Sequence, residues 1–194
     1  MEWLMKSSAL RGVSPAFLKA FDSLFGRIAA NILPRPDRKP ATTSFASILI
    51  IRPGGIGDAA LLAPMLAALR GCYPVAAIHI LAERRNAGVF SLIPGISSLF
   101  LYDRPADLMK AVRGKYDLVI DTEQWHRLSA VITRLVGAGT SIGFATNERA
   151  RLFTHTVPYA HDRYEAQSFL DLLIPLGIEA AFNSSKVFLE VPVN

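Results

Sequence analysis

An apolar run, Ile48-Leu49-Ile50-Ile51, breaks into Arg52-Pro53-Gly54-Gly55-Ile56-Gly57-Asp58 and resumes as Ala59-Ala60-Leu61-Leu62. So short and uniformly apolar a run reads as a strand buried on both faces, which points to a parallel sheet with helical crossovers. The glycines let backbone amides approach a ligand closely, and the helix start behind them suits phosphate or another anion. Asp58 is the unusual member. A site that only cradled phosphate would exclude a carboxylate, so Asp58 reads as a base facing a substrate hydroxyl. The alternative is a helix N-cap or first-turn acid, a role that stabilises by about 1 kcal/mol.

The same alternation continues along the chain. Short apolar runs predict strands at 47–51, 77–81, 98–101, 118–121 and 141–143, with helices at 58–71, 84–92, 105–113, 126–136 and 163–176. Pro64 should kink the first of these helices, and Gly177 should cap the last. A strand-like run, 187–191, follows. The expected fold is α/β, a Rossmann-like parallel sheet with helices on both faces. Before it, Ser14-Pro15 opens an amphipathic helix carrying Phe17, Leu18, Phe21, Leu24, Phe25, Ile28, Ile32 and Leu33 on one face. That helix either docks on its own domain or lies in a membrane interface through residues 14–33. The chain thus divides into a basic helix and linker (1–45), a sheet domain (46–177) and a tail (178–194).

Charge follows this division. The 194 residues carry a net +5, of which residues 1–40 hold +4, so the sheet domain lacks the broad cationic face that duplex nucleic acid requires and no nucleic-acid partner is expected. One cysteine, Cys72, excludes an internal disulfide framework. The start of the chain lacks the layout of a signal peptide, and no run approaches the ~18 apolar residues of a bilayer span.

Three groups compete for a functional role. Gly55-Ile56-Gly57-Asp58-Ala59-Ala60 matches a dinucleotide fingerprint, with Glu83 imitating its ribose-binding acid, but Asp58 would repel a pyrophosphate at short range. Glu123, Gln124, Trp125, His126 and Arg127 follow the fourth strand, on the edge where open α/β sheets bind ligands, and suit a sugar or sugar phosphate. Equally, Trp125 packs in the core and Arg127 pairs with Glu123. Arg149 and Arg151 either meet a phosphorylated acceptor or are ordinary loop charge. The four histidines show no metal-ligand spacing, and no metal is expected.

The string Ile-Arg-Pro-Gly-Gly-Ile-Gly-Asp, followed by an apolar helix containing Pro64, resembles the N-terminal motif of glycosyltransferase family 9, the heptosyltransferases of the lipopolysaccharide core. Pro64 to Arg70, Tyr73-Pro74, Tyr116 to Asp121, Arg134 to Ala138, Ile142-Gly143-Phe144 and His161 to Gly177 extend the resemblance in order and spacing. It implies the N-terminal, acceptor-binding half of a GT-B type enzyme, with a nucleotide-sugar donor of the ADP-heptose kind as co-substrate, no other cofactor and a lipopolysaccharide-core or related glycan acceptor. It further implies that Asp58 deprotonates the acceptor with inversion and without metal, over a floor of Gly54, Gly55, Ile56 and Gly57 that helps hold the diphosphate. Two departures stand out. Thr122-Glu123-Gln124-Trp125-His126-Arg127 replaces a Leu-Gln-Gly type sequence, and the chain ends where a donor-binding domain is expected. The expectations are therefore an acceptor-side half that is inactive without a partner carrying the donor domain, or a non-catalytic binding or scaffold module. Either is expected in the cytoplasm, with peripheral contact on the inner membrane face if the helix meets lipid.

Overall fold

The computed structural model describes residues 22–37 and 44–185. Six strands, β1 (Ser47–Arg52), β2 (Ala77–Ala82), β3 (Ile96–Leu101), β4 (Leu118–Asp121), β5 (Thr140–Phe144) and β6 (His155–Val157), form one sheet in the order β3-β2-β1-β4-β5-β6. Every neighbouring pair is parallel. The helices are α1 (Arg27–Ile32), α2 (Ile56–Ala60), α3 (Ala63–Cys72), α4 (Ala87–Phe90), α5 (Pro105–Arg113), α6 (Arg127–Val136) and α7 (Glu165–Asp171).

The unbroken apolar run of β1 has a two-sided explanation. Ile48 and Ile50 share one core with Met65, Leu66 and Leu69 of α3 and Phe169 and Leu170 of α7. Leu49 and Ile51 share the other with Ala111 of α5 and Ile132 of α6. All four strand side chains are fully buried, each contributing roughly 1.5–3 kcal/mol of transfer free energy.

Several expected boundaries move for local reasons. The helix expected over 58–71 is two helices. Proline lacks an amide hydrogen and its ring collides with the carbonyl four residues back, so Pro64 breaks the first helix and opens α3 from its first turn. The helix expected over 84–92 shrinks to one turn, α4. Its N-cap residue Asn86 is buried and donates Nδ2 to the Arg52 carbonyl at 3.1 Å. The final helix stops at Asp171 and closes with a 3-10 turn, Ile174–Leu176, ahead of Gly177 at φ 74°. β6 was not expected. The strand expected over 187–191 and the first turns of the amphipathic helix lie outside the described residues.

The described end of that helix docks on protein. A π-helical turn, Asp22–Gly26, leads into α1, whose Ala30 is buried against Ala130 of α6 and against Leu152 and Phe153. Asp22 Oδ1 accepts the Leu128 amide at 2.8 Å, and Arg151 Nη1 donates to the Asn31 carbonyl at 2.8 Å. Burial works against the Asp22 charge. The His126 ring and the amides of Leu128 and Arg127 outweigh it, so the carboxyl titrates below its ordinary value. Ile28 and Ile32 face solvent, and no helix among the described residues is long and apolar enough to cross a membrane.

Candidate functional site

Strand order reverses between β1 and β4, which pair with Ile51 opposite Asp121. After β1 the chain turns to the face covered by α3, and after β4 to the face covered by α6. The two loops diverge over the carboxyl ends of the strands, the place where open α/β sheets form their ligand crevice.

Arg52 ends β1 and is 2% exposed. Its Nη1 donates to the Thr122 carbonyl at 2.9 Å, its Nη2 reaches Asp58 Oδ2 at 2.9 Å, and its guanidinium lies 5.5 Å from the Phe169 ring centroid. Arg52 therefore ties the two loops together. Gly54 makes the turn above it possible. Its φ is +109°, and a Cβ there would stand 3.0 Å from Arg52 Nη2. At Gly57, by contrast, a Cβ would meet nothing within 4 Å, and Ile56 is exposed.

Asp58 lies in the first turn of α2, whose N-cap is Gly55 with no side-chain cap. Its carboxyl is 44% exposed while Arg52 grips Oδ2. The group is thus oriented by one buried cation and open to a ligand, a geometry suited to accepting a proton from a hydroxyl placed above it. The five-residue α2 offers less helix dipole to an anion than a helix over 58–71 would.

The residues after β4 divide. Trp125 stays half exposed. Glu123 is buried and its Oε1 accepts the amides of Gln124 and Trp125, both at 3.1 Å. Gln124 is also buried, its amide held by Glu165 of α7. Arg127 turns away and binds Glu148 Oε2 through Nε and Nη2 at 2.9 and 2.7 Å, not Glu123. Arg149 has no exposed surface. Its Nη2 meets Asp121 Oδ2 at 2.5 Å and its Nη1 the Glu123 carbonyl, so an acceptor phosphate does not reach it. Burial lifts the Asp121 carboxyl above its ordinary range even against the Arg149 charge, a sign of how costly this desolvation is. Arg151 is engaged with α1. Of the candidate ligand contacts, Gly54, Gly55, Ile56, Gly57 and Asp58 form the turn and helix start after β1 and Trp125 stays half exposed after β4, whereas Glu123, Gln124, Arg127, Arg149 and Arg151 are engaged within the protein.

Four further residues belong to the site without being among the candidates that the sequence offers. Arg52 had a local signal, a cation closing a buried strand six residues before an acid. Tyr159, His161 and Glu165 had none, because the return through β6 brings them in. Tyr159 donates to Glu165 Oε2 at 2.8 Å. Burial, then the Glu165 hydrogen bond and the charges of Glu165 and Asp58, push the phenol up to about 12 against the opposing Arg52. Among the described residues, no three His, Cys, Asp or Glu side chains group as a metal site.

No protein-family model matches the chain. Lipopolysaccharide heptosyltransferase 3 of Escherichia coli is 30% identical over 142 residues, covering 64% of this chain and 41% of that protein. Among solved structures, a glycosyl transferase family 9 protein of Veillonella parvula superposes with a TM-score of 0.61 at 19% identity, over 74% of this chain and 44% of that one. The E. coli heptosyltransferase WaaC with ADP gives 0.62 at 18% identity, over 71% and 49% respectively. The chain spans less than half the length of these relatives. Over the part compared it resembles glycosyltransferase family 9, and its sheet has the fold of the N-terminal half of a GT-B heptosyltransferase.

Proposed function

We propose that this chain is the acceptor-binding half of a heptosyltransferase-type glycosyltransferase, acting with a nucleotide-sugar donor and a lipopolysaccharide-core or related glycan acceptor. Asp58 takes the proton of the acceptor hydroxyl as that oxygen bonds to the anomeric carbon. The bond from that carbon to the diphosphate breaks, and the nucleoside diphosphate leaves with inversion. The Gly54 to Gly57 backbone forms the floor beneath the reacting groups. No cofactor beyond the donor is invoked, and a donor-binding half completes the site.

One observation carries this reading: a half-open carboxylate at the strand-order reversal, held by a buried arginine through a single oxygen. The similarity to heptosyltransferase 3, and the ADP and ADP-2-deoxy-2-fluoro heptose bound by WaaC, support the choice of donor class. Asp58→Asn, made in this chain paired with a donor-binding half, should reduce transfer by about 10²-fold or more and leave folding intact. Turnover within a few fold of the parent would reject the role, and tight NAD binding would favour a dinucleotide enzyme. We place the protein at the inner face of the cytoplasmic membrane, with the outward Ile28 and Ile32 and the basic N-terminal segment toward anionic lipid. Cosedimentation with anionic but not neutral vesicles is the expected result.

A further inference from the structure

The loop after β4 carries a large ring out to solvent. Trp125 is 45% exposed and stacks on His161, with ring centroids 5.2 Å apart and planes inclined by 22°. Tyr159 meets both rings edge-on, at 5.8 Å from Trp125 and 5.3 Å from His161. The three rings come from the loops after β4 and β6, both on the carboxyl edge, and the Tyr159 phenol feels the charges of Asp58 and Arg52. Glu165 locks the two loops together, one oxygen on the Tyr159 hydroxyl and the other on the Gln124 amide. A ligand meeting this surface therefore does not have to order it first.

A flat aromatic surface beside a carboxylate suits one face of a pyranose. The C–H bonds on that face are weakly positive and meet the negative face of the ring, while the hydroxyls project sideways toward polar groups. Phosphate has poorer prospects. Arg149 is held by Asp121, Arg127 by Glu148, Arg52 by Asp58 and Arg163 by Asp171, while Arg151 is turned to Asn31. A phosphorylated sugar would find Asp58 and Glu165 beside the rings and the cations around them already engaged.

We propose that Trp125, backed by His161 and Tyr159, is a stacking platform for an uncharged sugar ring of the acceptor, turning one of its hydroxyls toward Asp58. The assignment rests on the transferase reading above and narrows its acceptor to a neutral glycan at this subsite.

The test uses the 194-residue chain with Trp3→Phe, which leaves Trp125 as its one tryptophan. It is titrated with lipopolysaccharide-core oligosaccharide before and after removal of the phosphates by hydrofluoric acid, following tryptophan emission and NMR shifts. The dephosphorylated glycan should bind at least as tightly and perturb the Trp125 emission. Trp125→Ala should weaken binding about tenfold and Trp125→Phe about threefold or less, with circular dichroism unchanged. The platform is overturned if the phosphorylated form binds more than about tenfold tighter, if Trp125→Ala binds like the parent, or if the folded chain binds neither glycan. Asp58→Asn in the paired enzyme separates the two readings. Lost transfer with an unchanged KM in Trp125→Ala sinks the platform alone. Weakened glycan binding in Trp125→Ala with normal turnover in Asp58→Asn sinks the transferase alone.

Discussion

Two arginine–aspartate pairs stand at the carboxyl edge of this sheet, and they have opposite fates. Arg149 and Asp121 are both fully buried, 2.5 Å apart, and wired to the loop that launches α6. Arg52 is equally buried, but its partner Asp58 is 44% exposed. The same two functional groups make an internal strut in one place and a presented carboxylate in the other. What differs is the backbone behind the acid. Asp121 is the last residue of a central strand, whereas Asp58 rides on a short helix behind a glycine turn that lifts it clear of the core.

Breaking the strut should produce the largest effect. Arg149→Met leaves the Asp121 carboxyl buried without its cation and should cost about 3–5 kcal/mol in urea denaturation. The double variant Arg149→Met, Asp121→Leu should recover much of that loss, because no charge remains to desolvate. A single-variant cost below about 1 kcal/mol would show that the two pairs do not differ as described. Next comes Arg52→Gln, which removes a charged donor from the Thr122 carbonyl and from Asp58 and should cost about 1.5–3 kcal/mol. It should also loosen Asp58, so that activity of the paired enzyme falls more than stability alone explains.

Asp58→Asn should cost less than Arg52→Gln, about 1 kcal/mol, since the amide oxygen still accepts from the buried Arg52 and the half-exposed position leaves water at that end of the guanidinium. A loss comparable to that of Arg149→Met would erase the contrast. Asp22 offers the mildest probe. Its folded carboxyl titrates below the ordinary 3.8, so its grip on α6 is present above that value and lost as pH falls through the lower, folded one. Hydrogen exchange at the amides of α1 should therefore accelerate below about pH 4 while the sheet stays protected, and Asp22→Ala should mimic the change at neutral pH at a cost of about 1 kcal/mol.

The positions legible beforehand were those whose cause is local. A covered strand declares itself by an unbroken apolar run, as 48–51 does, and a glycine turn by its glycines. Pro64 announced its break, although two helices with a shift of start replaced the expected kink. β6 was not legible because His155-Thr156-Val157 is three residues long and mostly polar, with pairing to β5 as its cause. Glu123 and Arg149 likewise looked like ligand contacts from composition alone. Whether such a side chain faces a ligand or a neighbouring amide depends on groups far away in sequence, such as Asp121 beside Arg149.

From the sequence alone came the parallel α/β class, the strand–glycine–acid unit at 48–58 and its resemblance to family 9, because hydrophobic period, turn chemistry and motif spacing are local properties. Only the tertiary structure decided which charges remain available. Burial and pairing are long-range outcomes, and a guanidinium 28 residues from its carboxylate is spoken for only once β4 and the loop beyond β5 have been packed side by side.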